Sequence, residues 1–203
     1  LLTYGDQLYS RAKQRLLREA ECFGGFATTC AFGPEDIDAD FRHKFASVLN
    51  QNRGGGYWLW KPHFINRQLQ KTKEGDVVVY LDSGCTLNPQ GKGRFNEYVA
   101  MVADSKESIL AFEMPYFPER EWTTRQIFEY FHLSLDSDIA RSGQFVGGIQ
   151  VMQCNAQSKA IFDTCLQTVA DDPNLITDYY NNHSQTEGFR ENRHDQSLLS
   201  VTR

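Results

Sequence analysis

A short run of β-branched and apolar residues, Val77–Leu81, constrains the fold of this chain more than any other segment. The turn-forming letters EGD precede it and DSG follow it, so its length is set at both ends. A continuous apolar run of this length is typical of a strand buried on both faces, as in a parallel sheet. The segment therefore predicts a central strand covered by helices on both sides.

Strand-like and helix-like segments alternate through the rest of the 203 residues. Further strands are expected at residues 1–4, 26–30, 109–112 and 145–152. Helices are expected at residues 7–22, 41–49, 95–103, 124–131 and 158–170, with others ending near Lys71 and closing the chain. This alternation predicts an α/β fold, a single Rossmann-like domain over residues 1–203 with a mostly parallel central sheet flanked by helices. Because both ends fall in apolar runs, we expect this domain to be one module of a longer protein.

The composition narrows the range of partners. The formal net charge of −5 argues against nucleic acid or an anionic membrane held by bulk electrostatics. No apolar stretch approaches the roughly 20 residues of a membrane-spanning helix, and no secretion signal is recognisable. The five cysteines form no C-x-x-C pair, which favours a reducing compartment. We therefore expect a soluble, cytoplasmic protein without a nucleic-acid partner.

The loop after the central strand is the first candidate site. In parallel sheets, ligands bind beyond the carboxyl ends of the strands, which is where Asp82, Ser83 and Gly84 lie. A carboxylate there can hold a divalent cation or bond a ribose or sugar hydroxyl, and Ser83 and Gly84 let a ligand approach the backbone. The alternative is that Asp82 only caps the following turn.

Residues 53–61, RGGGYWLWK, combine three glycines, three aromatic residues and two basic residues. Glycine N–H groups can line a phosphate, Arg53 and Lys61 supply positive charge, and the aromatic rings can stack on a base or a sugar. The alternative is a tight turn followed by an aromatic-rich helix start with Pro62 in its first turn. That alternative leaves the two charges unexplained.

Two further segments carry candidate chemistry. In RHDQ, residues 193–196, a neutral His194 can ligate a metal, while Asp195 and Gln196 can face a reacting sugar. Alternatively, Asp195 is simply the N-cap of the last helix. The loop MPYFPEREW can form an aromatic acceptor wall, or equally be ordinary hydrophobic cover. Glu113, just past the strand expected at residues 109–112, can serve as the base of an inverting reaction ahead of Glu119 and Glu121 in the adjacent loop, or only orient the acceptor, or have no role.

The order of GYWLWK, VVVYLDSG, FVGGIQVM and HDQSLL resembles small GT-A glycosyltransferases, closest to the retaining glycogenin- and galactosyltransferase-like families. Similar compact domains occur in bacterial surface-polysaccharide clusters and in chloroviruses, which would place the protein in the host cytoplasm. The resemblance implies a hexosyl- or deoxyhexosyltransferase. It would move a sugar from a nucleoside diphosphate sugar, by family habit a UDP-sugar, to a hydroxyl of a glycan or glycoprotein with retention of configuration.

The resemblance also implies roles for individual residues. Thr3, Tyr4 and Gly5 correspond to the pocket for the base and ribose, and Lys61, assisted by Arg53, to the basic group near the donor diphosphate. Gly148 falls in the strand that lies against the donor sugar. The pair Asp195-Gln196 resembles the DQ pair beside the anomeric carbon.

The metal site is where this chain departs from the family. Asp82 matches the first carboxylate of a DxD motif that binds Mn²⁺ or Mg²⁺, but Gly84 stands where the second carboxylate is expected. His194 resembles a late histidine that completes the metal shell. A sparse shell of Asp82, His194, phosphate oxygens and waters is chemically possible. Without a metal, Lys61, Arg53 and Arg193 would have to stabilise the leaving diphosphate by charge alone.

Two other functions remain open. A sugar-nucleotide pyrophosphorylase would share the fold, but it normally carries its basic Gly-rich segment directly after the first strand, and LLTYGD lacks one. A catalytically inactive module that binds a nucleotide sugar or a glycan is the second alternative, because one DxD carboxylate is missing.

Overall fold

The computed structural model describes residues 1–203 and divides them into two compact units. The first, here called the sheet unit, comprises Leu1–Asp38, Phe64–Ala111 and Gly148–Ala160. The second, here called the hairpin unit, comprises Ala39–His63, Phe112–Gly147 and Ile161–Arg203. The assignment of the whole chain to one GT-A domain stays a prediction.

The predicted strands and helices occur in the predicted order, together with shorter elements that the sequence did not indicate. The strands are β1 Leu2–Tyr4, β2 Cys30–Phe32, β3 Val77–Leu81, β4 Ile109–Leu110, β5 Glu113–Pro118, β6 Gly143–Phe145 and β7 Ile149–Gln153. The helices are α1 Ser10–Phe23, α2 Ala39–Lys44, α3 Ala46–Leu49, α4 Gly54–Tyr57, α5 Trp60–Lys71, α6 Lys92–Asp104, α7 Glu119–Trp122, α8 Arg125–Tyr130, α9 Asp138–Arg141, α10 Ala156–Asp171 and α11 Asp195–Val201. Short 3₁₀ turns lie at Pro34–Asp36, Pro89–Gly91, Pro173–Ile176 and Tyr179–Asn182. None of these helices is both long and apolar enough to span a membrane.

The sheet unit contains a five-stranded sheet in the order β2-β1-β3-β7-β4. Strands β2, β1 and β3 are parallel, and β7 runs antiparallel to both β3 and β4. Four of the five strands therefore point the same way, and β3 lies at the centre, buried along most of its length. The predicted mostly parallel sheet around Val77–Leu81 is confirmed.

Helices cover both faces of this sheet. On one face, Leu16 of α1 and Val102 of α6 form an apolar cluster with Val79, Leu81 and Val151. On the other face, the ring of Phe64 in α5 packs against Tyr4 of β1, with 5.6 Å between ring centroids. Full burial of each such side chain contributes about 1.5–3 kcal/mol, so the sheet is stabilised from both sides. The predicted α/β class is confirmed.

Three predicted boundaries are wrong. The strand expected at residues 145–152 is two strands, because Gly147 and Gly148 interrupt it: β6 pairs with β5 in the hairpin unit, whereas β7 joins the five-stranded sheet. The strand expected at residues 26–30 begins only at Cys30, after a turn in which Gly24 and Gly25 both have positive φ. The helix expected at residues 41–49 is split into α2 and α3.

The hairpin unit is built around the antiparallel pair β5 and β6, with a register shift between Met114 and Pro118. Its core contains apolar side chains that are at most 1% exposed, namely Ile127, Phe128, Phe162, Leu198 and Leu199. Leu198 and Leu199 belong to α11, the last helix, so the segment that carries RHDQ is anchored directly to the core of this unit.

Candidate functional site

Asp82 is the first residue after β3, in the turn formed by residues 82–85. Its backbone N–H donates to the Gly148 carbonyl at 2.8 Å, and its carbonyl accepts from the Cys85 N–H at 2.8 Å. The Tyr80 hydroxyl donates to Asp82 Oδ1 at 2.5 Å. Because the side chain of Asp82 is half-buried, its carboxylate is held in place yet stays within reach of solvent.

Gly148 makes the space for that carboxylate. A Cβ built on Gly148 would lie 2.6 Å from Asp82 Oδ2, far inside van der Waals contact. By contrast, a Cβ on the exposed Gly84 would meet nothing within 4 Å. A side chain at Gly148 would therefore force the Asp82 carboxylate to shift, and Gly84 leaves room for a larger side chain in the position of a second carboxylate.

The donor set at Asp82 fits a cation only sparsely. No group of three or more His, Cys, Asp or Glu side chains is arranged to hold a metal ion. Asp82 Oδ1 accepts from Tyr80, so the carboxylate would share its oxygens between this hydrogen bond and a cation. Mg²⁺ commonly keeps several waters and takes only one or two carboxylates beside substrate phosphates, so Asp82 fits as a single protein ligand of such an ion.

The residues predicted to form the base pocket lie at the end of β1. Thr3 is 0% exposed, and Tyr4 packs its ring against Phe64, so both side chains belong to the core of the sheet unit. Gly5 donates its N–H to the Phe32 carbonyl at 3.1 Å. A Cβ there would lie 2.7 Å from that of Tyr9, so Gly5 permits the tight start of the next turn.

The Gly-rich segment of the hairpin unit has an unusual backbone. All five residues 54–58 have positive φ, including Tyr57 at 51° and Trp58 at 57°. Glycine adopts this left-handed region freely, whereas each L side chain placed there costs about 1 kcal/mol or more. The three glycines thus allow a left-handed turn, whereas the positive φ angles of Tyr57 and Trp58 are strained.

Arg53 precedes this turn and binds a residue that the sequence did not single out. Its Nη1 donates to both carboxylate oxygens of Asp178, at 3.0 and 2.8 Å. The Tyr57 hydroxyl donates to Asp178 Oδ2 at 3.0 Å, and the Asn181 amide donates to Oδ1 at 3.0 Å. Asp178 lies in a polar stretch with no periodic pattern, so no sequence signal indicated that three side chains donate to its carboxylate.

His194 is buried and strained. Its φ of 58° and ψ of −120° are those of the second residue of a type II′ turn, a position that favours glycine, and Gln196 N–H closes the turn onto the Arg193 carbonyl at 3.1 Å. The imidazole stacks on Trp58, with 5.5 Å between centroids, and contacts Tyr57.

The protonation of His194 follows from its partners. Nδ1 lies 3.0 Å from the Ile176 carbonyl, which can only accept, so Nδ1 carries the proton. Nε2 lies 3.7 Å from Asp178 Oδ1. Burial lowers the pKa of His194, an effect that Asp178 opposes. The neutral ring is therefore oriented by a carbonyl, as metal-binding histidines commonly are, but it is 3% exposed.

Lys61 and Asp195 form a buried ion pair within the hairpin unit. Lys61 Nζ lies 2.7 Å from Asp195 Oδ2, and the two side chains are 4% and 5% exposed. The charge that sequence reasoning assigned to a diphosphate is thus matched by a carboxylate of the chain itself. Asp195 is the first residue of α11 but no side-chain cap, since its carboxylate faces Lys61.

Gln196 and Arg193 take different partners. Gln196 Oε1 accepts from the Gly147 N–H at 2.9 Å, and its amide donates to Gln144 at 2.5 Å. The Arg193 guanidinium lies over the Trp122 ring, 4.2 Å from its centroid. The half-buried Arg193 thus forms a cation–π contact, and Gln196 fixes the backbone that follows β6.

Of the three candidate bases, Glu113 is the most accessible. It starts β5, is exposed, and accepts from the Gly143 N–H at 2.8 Å. Glu119 is only 2% exposed and accepts hydrogen bonds from Thr123, Gln144 and Ser200. Burial raises the pKa of Glu119, so this residue belongs to a buried polar network of the hairpin unit.

The comparisons with known proteins found a similar solved structure but no similar sequence. No family model and no curated protein matches the chain. Among solved structures, the galactosyltransferase LgtC in complex with donor and acceptor sugar analogues is similar, with a TM-score of 0.49 and 12% sequence identity over 98% of this chain and 68% of that chain. The likeness concerns the course of the chain alone, and no residue role is taken from it.

Proposed function

We propose that the chain is a glycosyltransferase that moves a sugar from a nucleoside diphosphate sugar, of which a UDP-sugar is the first choice, to a hydroxyl of a glycan. The observation that carries this proposal is the position of Asp82. Its carboxylate follows the central strand of a mostly parallel sheet, at the edge where such sheets bind ligands, and Gly148 clears the space beside it.

Within the sheet unit, Asp82 would bind the polar part of the donor. A divalent cation, Mn²⁺ or Mg²⁺, would neutralise charge on the departing diphosphate when bound, with Asp82 as its protein ligand. The Tyr80 hydroxyl restricts the rotamer of Asp82, so the carboxylate is held in one orientation. Retention of configuration, and the roles of Arg53, His194, Asp195 and Gln196 beside the donor, remain predictions from the family resemblance.

The five free thiols fit a reducing compartment, so we place the reaction in the cytoplasm.

A donor screen with matched variants tests the proposal. Wild-type protein is incubated with UDP-, GDP- and dTDP-sugars, with and without Mn²⁺, and donor hydrolysis and glycan products are followed by mass spectrometry. We expect Asp82→Asn to lower kcat/KM about 100-fold, because the cation that would neutralise the departing diphosphate loses its charged protein ligand. Gly148→Ala should also lower activity, since its Cβ displaces Asp82, whereas Gly91→Ala, where a Cβ meets nothing within 4 Å, should not.

The same screen separates the alternatives. A nucleotide that raises the melting temperature without any turnover would indicate an inactive binding module, and consumption of a sugar 1-phosphate with a nucleoside triphosphate would indicate a pyrophosphorylase. Full transfer activity in Asp82→Asn would disprove the assigned centre.

A further inference from the structure

Two side chains of α1 hold the loop that carries Asp82. Arg15 Nη2 donates to the Ser83 carbonyl at 3.1 Å and to the Cys85 carbonyl at 2.9 Å. Arg15 Nη1 also contacts Glu19 Oε1 at 3.3 Å, and Glu19 Oε2 accepts from the Leu87 N–H at 3.0 Å. Three backbone groups on and just after the 82–85 turn are therefore bound by one Arg–Glu pair.

The order and the partners of Arg15 and Glu19 indicate that the pair does more than stabilise its own helix. Arg15 and Glu19 are spaced i, i+4, but the basic residue comes first, which is the less favourable order on a helix. Their hydrogen bonds reach about 70 residues along the chain, to backbone groups of Cys85 and Leu87. Between them, Leu16 is 0% exposed and packs on Val79 and Leu81, which fixes the register of α1 against β3.

We infer that Arg15 and Glu19 are positioning residues for the proposed donor site, setting where the Asp82 carboxylate stands. The inference rests on the proposed function of Asp82. Arg15 is suited to the task because a guanidinium presents several donors in one plane and can bind two carbonyls and a carboxylate together, which a lysine ammonium does less rigidly. Neither residue touches the reacting atoms in this scheme, because both act through the turn.

The test compares Arg15→Met and Arg15→Lys with Arg18→Met, an exposed arginine of the same helix. Misplacement of a binding group by about 1 Å can cost 100-fold in rate, so we expect kcat/KM to fall about 100-fold in Arg15→Met. Arg15→Lys should restore part of the activity, and Glu19→Gln should fall between wild type and Arg15→Met. Arg18→Met should behave as wild type, and the melting temperature of Arg15→Lys should stay close to that of wild type.

A second readout does not depend on turnover. Cys85 lies in the turn and is half-buried, so its alkylation rate, resolved from that of the other cysteines by peptide mass spectrometry, reports how firmly the turn is held. We expect faster Cys85 labelling and faster hydrogen exchange at the Leu87 amide in both Arg15 variants, but not in Arg18→Met.

The two failures can be told apart. If wild-type protein turns over no nucleotide sugar, the proposed function is wrong, while the labelling still tests the hold on the turn. If Arg15→Met keeps wild-type activity and wild-type labelling, Arg15 does not position the turn and the inference is overturned. Arg15→Met with unchanged labelling but low activity would also overturn it, because the effect would not pass through the turn.

Discussion

The turn at residues 82–85 and the turn at residues 193–196 both present an aspartate beside a strand or helix end, but they are built in opposite ways. Around Asp82 the backbone is ordinary, the side chain is half-buried, and an outside pair of residues holds the loop. Around Asp195 the backbone is strained at His194, and the carboxylate is buried against Lys61. The first arrangement keeps a carboxylate reachable, and the second encloses one.

This difference predicts that substitutions in the two turns affect different properties, folding stability in one and ligand binding in the other. An enclosed ion pair is costly to desolvate and becomes strongly destabilising when one partner is removed. A strained turn persists only because its surroundings enforce it, here the rings of Tyr57 and Trp58 and the core of α11. We therefore expect substitutions at residues 193–196 to act first on stability, and substitutions at residues 82–85 to act first on ligand binding.

The same chemical change in both turns gives the largest contrast. Asp195→Asn removes the carboxylate that lies 2.7 Å from the buried ammonium of Lys61, so we expect a loss of about 3–5 kcal/mol in the free energy of unfolding. Asp82→Asn keeps an oxygen that can accept from Tyr80 in a half-buried place, so we expect a loss of less than about 1 kcal/mol. Urea unfolding of the two variants measures both values.

A double variant, Lys61→Met with Asp195→Leu, serves as the control for the stability loss expected of Asp195→Asn. It removes both charges and should be more stable than Asp195→Asn alone. Equal losses in Asp195→Asn and Asp82→Asn would show that the two turns do not differ in the way described.

The strained backbone of His194 predicts that a glycine variant is more stable than an alanine variant there, the reverse of the usual order in a helix. Both His194→Ala and His194→Gly lose the ring, but only glycine tolerates a φ of 58° with a ψ of −120°, so the glycine variant should be more stable by about 1–3 kcal/mol. At the exposed His43 in α2, the order should reverse, with alanine better by about 0.5–1 kcal/mol. Thermal unfolding of the four variants measures both differences, and an alanine variant that is the more stable at both positions would refute the strain.

The sequence predicted the Asp82 region better than the region around residues 193–196. Val77–Leu81 was found to the residue, because a buried parallel strand is a local apolar run whose ends are marked by turn residues. The position of Asp82 then follows from topology. Its partners Arg15 and Glu19 do not, because hydrogen bonds to distant backbone groups leave no periodic pattern.

In the hairpin unit, the relevant information is non-local. The pairing of Lys61 with Asp195 joins residues 134 positions apart in sequence, and the conformation of His194 violates the preference of its own residue type. Secondary-structure propensity and residue spacing describe only residues close in sequence, so neither predicts a long-range ion pair or an unfavourable backbone conformation. The strand expected at residues 145–152 was wrong partly for this reason: Gly147 and Gly148 mark a possible break, but which strands β6 and β7 pair with is decided by distant residues.

The smallest expected effect is a pH dependence from Glu119, a further enclosed acid beside α11. Because burial raises the pKa of Glu119 above its ordinary value near 4.5, the folded state holds a proton that the unfolded state releases as the pH rises. The stability that this group contributes is fully present below about pH 4.5 and is lost as the pH rises through the raised folded value.

Glu119→Gln carries no such proton, so wild-type stability relative to this variant should fall as the pH rises above about 4.5, measured by urea unfolding at several pH values. Glu97→Gln, at an exposed position of α6, controls for the loss of one carboxylate. A difference that stays constant or grows with pH would mean that the three hydrogen bonds to Glu119 outweigh its burial, since they favour the charged form. The contrast with Asp82 would then lie in the ion pair and the strained turn alone.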